Sequence, residues 1–152
     1  MDYTTQMDAA RKGIVTPQMK IVAEKEHMPV EKLMALVASG KVAIPANKVH
    51  TSLSPEAVGQ DCRTKINVNL GVSPEHNNHE EELQKVQNAI DMKAEAIMDL
   101  SNFGKTRDFR RKLVKMSTAM IGTVPIYDAV VYYHKPLKDI TSREWIDIVK
   151  MH

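Results

Sequence analysis

Three short apolar segments, "KINVNL" at 65–70, "EAIMDL" at 95–100 and "MIGTVPI" at 120–126, each run into chain of a different pattern. That alternation constrains the fold more than any other feature. Strands separated by a helix-length crossover cannot close as tight hairpins. They pair in parallel, with the crossover helices covering the sheet. The first crossover, "NHEEELQKVQNAIDMK", carries Leu83, Val86 and Ile90 on one face. The second, "KTRDFRRKLVKM", carries Phe109, Leu113 and Met116 at the i, i+4, i+7 spacing of an amphipathic helix. A last helix is expected over "TSREWIDIVKMH". There Thr141 and Glu144 have capping-box spacing, and Trp145, Ile148 and Val149 form the buried stripe. Between the third strand and this helix, "YDAVVYYHKPLKD" reads as looser chain with room for a short helix.

Upstream the pattern is helical. "TPQMKIVAEKEHM" offers Thr16 as N-cap and Pro17 at the first helical position, where its missing N–H is no loss. "MPVEKLMALVASG" repeats the device with Pro29, places Leu33, Leu36 and Val37 on one face and stops at Gly40. The following "KVAIPANKVHTSLSPEAVGQDC" has no periodicity and reads as a long ordered loop, a length that usually signals function or disorder. The expected division is therefore 1–62, helices and loop, and 63–152, three βα units. A closed eightfold barrel takes roughly 250 residues. From the residues alone the fold class is α/β, either a small open three-layer domain or the opening portion of a barrel.

Composition removes several functions. Twenty-one Lys and Arg against nineteen Asp and Glu leave a formal charge of +2, and aromatics are only 5%. Nucleic-acid binding wants clustered cations and stacking rings, so it is not expected. No apolar run reaches the roughly 18 residues of a membrane span, and "MDYTTQMDAARKG" lacks the apolar centre of a signal peptide. The single cysteine, Cys62, excludes an intrachain disulfide and, with ten methionines, points to a reducing cytoplasmic compartment. One thiol also cannot build an iron–sulfur site, which usually takes at least three thiolates. His76 and His79 have only Glu80 and Glu81 as further donors nearby and read as a solvated helix start, so no metal site is expected. "RDFRRKLVK" reads as the outer face of an amphipathic helix, and Cys62 beside Arg63 and Lys65 as a packed, inert thiol.

In parallel α/β folds ligands gather at the carboxyl ends of the strands. Asn69, Met98 and Tyr127 stand at or just after the three expected ends. Asn67 and Asn69 interrupt a strand that otherwise reads as buried, and a buried amide costs free energy unless something bonds it. An amide, a polarisable thioether and a phenol together suit a small, planar, polar heterocycle. The amide and the thioether also have plainer readings: the Asn caps the next turn, and the Met packs in the core.

The strings "KVAIPANKVH", "RTKINVNLG", "DMKAEAIMDLS", "AMIGTVPIYDA" and "LKDIT" resemble the N-terminal part of the ThiC family, the phosphomethylpyrimidine synthases of thiamine biosynthesis. The resemblance covers nearly all of residues 1–152. It implies N-terminal helices followed by the first three βα units of an incomplete TIM-type (β/α)8 barrel. The implied activity is that of a radical-SAM carbon–carbon lyase turning 5-aminoimidazole ribotide into hydroxymethylpyrimidine phosphate. The family's cofactors are S-adenosylmethionine, a 4Fe–4S cluster and a zinc-type metal ion. Asn69, Met98 and Tyr127 match ribotide-contacting positions; by this resemblance the substrate is the partner of Asn69, with Asn67 supporting it. Two departures stand out: Cys62 where an apolar residue such as Leu is usual, and Asn102-Phe103 in place of Thr-Gly after "DLS". The family's metal-binding His residues, Ser-Arg-Gly phosphate loop and three cluster cysteines lie in sequence beyond "WIDIVKMH". The expectation is thus an N-terminal part of the lyase that supplies part of the ribotide pocket, with no catalytic residue of its own, inactive without the rest. The alternative is a non-catalytic ribotide-binding or interaction module. Three parallel strands also leave a bare sheet edge, so a homo-oligomer or a complementary C-terminal chain is expected to cover it.

Overall fold

A computed structural model describes residues 2–104 and 106–152. The chain divides into two compact units, the first running to Lys65 and the second starting at Ile66.

The first unit holds helices α1 (Gln6–Arg11), α2 (Pro17–Lys25) and α3 (Val30–Ala38) and a small antiparallel pair, β1 (Val42–Ala43) with β2 (Val58–Gly59). Thr16 caps α2 as its sequence predicts, its Oγ1 accepting the Met19 N–H at 3.1 Å, with Pro17 in the first turn. Pro29 sits one position earlier than expected, as the residue before α3, and Gly40 at φ +76° ends that helix in left-handed conformation. Leu33, Leu36 and Val37 are buried against Met19 and Val22. The long segment after α3 is not wholly irregular: β1 and β2 tie its two ends together. Strands of two residues carry no period, so no pattern could announce them. Buried carboxylates brace the unit. Glu26 pairs with Lys65, and Glu56 with Lys25 at 2.6 Å and Arg63 at 2.9 Å.

The second unit carries β3 (Asn67–Leu70), β4 (Ala96–Asp99) and β5 (Met120–Thr123), all parallel, in the order β3-β4-β5. Its helices are α4 (His79–Asp91), α5 (Thr106–Met116), α6 (Pro125–Tyr133) and α7 (Ser142–Met151), with a 3₁₀ turn at Leu137–Asp139. Leu70 and Ile97 from the sheet bury against Val86 and Ala89 of α4 and Phe109 and Leu113 of α5. The expected faces of both crossover helices are therefore the packed ones. The fold is α/β, but the sheet is open: among the described residues β3 and β5 each pair on one side only, and no barrel closes.

Two local expectations are corrected. "MIGTVPI" is a strand only to Thr123, because Pro125 has no N–H for a ladder and its fixed φ suits a first helical turn. The short helix for which the following chain has room does form, as α6, and it starts at Pro125. In α7 the capping box of Thr141 and Glu144 forms as expected, but Val149 is 59% exposed. Trp145, Ile148 and Met151, three residues apart, pack with Ala129 of α6 and with Ile140 instead. Val149 follows Ile148 by about 100° around the helix, enough to turn it to solvent.

Candidate functional site

Register puts the candidate residues of β3 and β4 in one row. Asn69 pairs with Met98, and Met98 with Gly122 of β5. Side chains alternate along a strand, so Asn67 and Asn69 point away from Val68 and Leu70, which pack toward α4 and α5. Both amides are exposed, not buried, and Asn67 Nδ2 donates to Asn69 Oδ1 at 3.4 Å. The desolvation problem read into the sequence does not arise, because helices cover only one face of this sheet. Met98 is half-buried on that same open face. A Cβ at position 122 would run into its sulfur, so Gly122 is the seat on which the thioether lies. A glycine inside a strand signals close approach; that cue in "MIGTV" is the one sequence reasoning passed over.

Beyond the strands the backbones of the first two loops stay zipped. Leu100 N–H donates to Leu70 O at 2.8 Å and Asn102 N–H to Val72 O at 3.0 Å. Ser101 Oγ accepts the Val72 N–H at 3.1 Å, and Asp99 Oδ1 accepts the Ser101 N–H at 3.0 Å. Glu82 of α4 accepts the Gly71 N–H at 2.7 Å. The rim that presents Asn69 and Met98 is thereby held by hydrogen bonds on both sides.

Tyr127 lies outside that row. It stands in the first turn of α6, 42% exposed, and its ring lines a groove of about 330 Å³ with Pro74, Asn102, Val130 and Leu137. The groove joins residues from the loops after β3 and β4 to the face of α6. Asn102, one of the departures from the family pattern, is therefore part of the Tyr127 wall.

Beneath the strand ends lies a buried polar network that the sequence did not reveal. Arg110 of α5 is only 6% exposed, although "RDFRRKLVK" read as an outer face. Its Nη2 meets Asp128 Oδ2 at 2.6 Å, and its Nη1 lies 3.8 Å from Asp99 Oδ2. Thr106 Oγ1 donates to Asp128 Oδ2 at 2.9 Å, and His152 Nε2 lies 3.2 Å from the same oxygen. Burial pushes the Asp99 carboxyl up, against the pull of the Ser101 bonds and of Arg110. Burial, then repulsion by Arg110, pushes the His152 imidazole down. With His152 neutral, Arg110 is the cation shared by two carboxylates. Arg110 and Asp128 also line a cavity of about 420 Å³ with Thr106, Arg107 and Tyr132.

The remaining candidates stay bland. Asn78 caps α4 by accepting the Glu80 and Glu81 N–H groups, and the His79 ring packs 5.5 Å from that of Phe109. Among the described residues no three His, Cys, Asp or Glu side chains converge as a metal set. Cys62 is half-buried, and its thiol is pushed up by burial first and then by the Glu26 charge, despite Lys65. A single protonated thiol does not fit an iron–sulfur cluster. No helix among the described residues is long and apolar enough to cross a membrane.

Parallel strands joined by crossover helices, with polar and soft side chains in register near their carboxyl ends, define an open α/β protein, an architecture in which strand ends are the usual place for ligands. The Radical SAM ThiC family model matches residues 5–152, and the chain belongs to that family. Over all 152 residues it is 66% identical to the phosphomethylpyrimidine synthase of Clostridium botulinum (strain Hall) and 65% identical to that of Clostridium novyi (strain NT). It spans 35% of the length of each.

Proposed function

We propose that the chain is the N-terminal part of a thiamine-pathway radical-SAM lyase, that its second unit corresponds to the opening βα units of a barrel, and that it supplies part of the pocket for 5-aminoimidazole ribotide. The observation that carries this reading is the row Asn69–Met98–Gly122 in a chain of this family. The exposed Asn69 amide offers donors and an acceptor to a ring substituent, Met98 packs its thioether on the ring face, and Tyr127 contributes a phenol from the neighbouring groove. An exposed amide is a better ligand group than a buried one, since it is not committed to the protein interior. In this reading radical initiation is no part of what these residues do: their one thiol, Cys62, does not fit an iron–sulfur cluster. The work of the 152 residues in this reading is substrate binding.

Calorimetric titration of the chain with 5-aminoimidazole ribotide tests this directly. The folded chain is expected to bind. Asn69→Ala is expected to weaken binding about tenfold, the equivalent of about 1.4 kcal/mol for the bonds of one amide. No heat with folded protein overturns the binding role. Mixing the chain with a C-terminal complement and assaying hydroxymethylpyrimidine phosphate under anaerobic, reducing conditions separates part of an enzyme from a binding module.

A further inference from the structure

We propose that Arg110 is a positioning residue that sets the spacing between the Met98 and Tyr127 walls of the ribotide site. The inference rests on the functional reading just given. Its ground is a coincidence of neighbours. Asp99 follows Met98 in β4, and Asp128 follows Tyr127 in α6. From α5 the Arg110 Nη2 bonds Asp128 at 2.6 Å, and its Nη1 faces Asp99 Oδ2 at 3.8 Å, an ion-pair distance longer than a hydrogen bond. Because successive strand residues point to opposite faces, anchoring Asp99 on the helix side fixes the depth at which Met98 stands on the other. Asp128 lies 5% exposed on the packed side of α6, so anchoring it fixes the rotation of the first turn that carries Tyr127. The planar guanidinium fixes the direction of the Asp128 bond, and with it the side from which its charge faces Asp99, which an ammonium does not. Asp99 is 2% exposed, so the clamp works where charge pairs are least screened. The arrangement here spans two elements and touches, on each, the residue next to a candidate contact.

The experiment uses the full chain labelled with methyl-¹³C methionine and ring-labelled tyrosine, the Met98 and Tyr127 signals being assigned by substitution. Arg110→Lys keeps the charge and loses the fork. Asp128→Asn keeps the shape and the oxygen that Thr106 and Arg110 share, removes the charge, and provides a milder variant should the first fail to fold. In either folded variant the Met98 methyl and Tyr127 ring signals are expected to move together, while that of Met19 in the first unit stays. Ribotide affinity is expected to fall at least fivefold in calorimetry. Movement of the Tyr127 signal alone in Asp128→Asn, or affinity within twofold of the parent despite a lowered melting temperature, overturns the proposal. If the parent chain itself gives no heat, the ribotide reading fails. The paired signals then decide the spacing by themselves: joint movement upholds it, and independent movement sinks it.

Discussion

Gly71 shows how tightly single residues are specified at the rim. It sits at φ +139°, and a Cβ there would lie 2.5 Å from the Ser101 nitrogen and 2.9 Å from the Leu100 carbonyl carbon. No rotation of a side chain can relieve that contact, because both atoms are backbone. Gly71→Ala is expected to cost about 1–3 kcal/mol from the backbone conformation alone, with more from the collision. Urea denaturation followed by circular dichroism measures it; a loss under about 0.5 kcal/mol, the range of ordinary surface changes, contradicts the account. Asn69 makes the complementary point. Its identity was readable as a site candidate, but its exposure was not. The string "INVNL" alternates apolar and polar residues, which is compatible with one open face, yet nothing local says whether a helix covers it.

Among the elements, α7 gives the cleanest test of local sequence coding. Thr141 Oγ1 accepts the Glu144 N–H at 3.3 Å, and Glu144 accepts the Thr141 N–H at 2.8 Å. Thr141→Ala is expected to cost about 1 kcal/mol, as loss of an N-cap usually does. The hydrogen bond from Lys135, then those from Thr141, hold the Glu144 carboxyl well below its ordinary 4.5, at about 2. The folded state thus favours the ionised form. The stabilisation is fully present above pH 4.5 and is lost as pH falls toward 2. Melting temperatures taken from pH 6 down to pH 2 are expected to fall less steeply for Glu144→Gln than for the parent, and parallel curves would contradict the role of the ionised carboxylate in holding Lys135 and Thr141. In α5 the pattern was only half readable. Phe109 and Leu113 announced the packed face, but Arg110 next to Phe109 lay within reach of two carboxylates from other elements. Its burial depends on partners 11 and 18 positions away in sequence, Asp99 and Asp128, which periodicity does not register.

For the molecule as a whole the governing fact is the open sheet. β3 and β5 each have one side without a ladder partner among the described residues, and the face carrying Asn67 and Asn69 is open. Unpaired strand edges template association. Sedimentation velocity is therefore expected to show a mass that rises with concentration, or collapse to one complex when a C-terminal complement is added. A stable monomer at every concentration would argue that the edges are protected.

Local chemistry was enough to specify the order of the three parallel strands and the helices that cross between them, the caps at Thr16 and Thr141, and the packed faces of α4 and α5. Each depends on residues within about one helical turn, or on a crossover too long for a hairpin. The exposure of Asn69, the seat of Met98 on Gly122, the displacement of Tyr127 onto a helix-lined groove and the burial of Arg110 were settled by packing alone. They depend on which side of the sheet the helices cover and on charges brought together from separate elements, and both come into being only when the chain has folded.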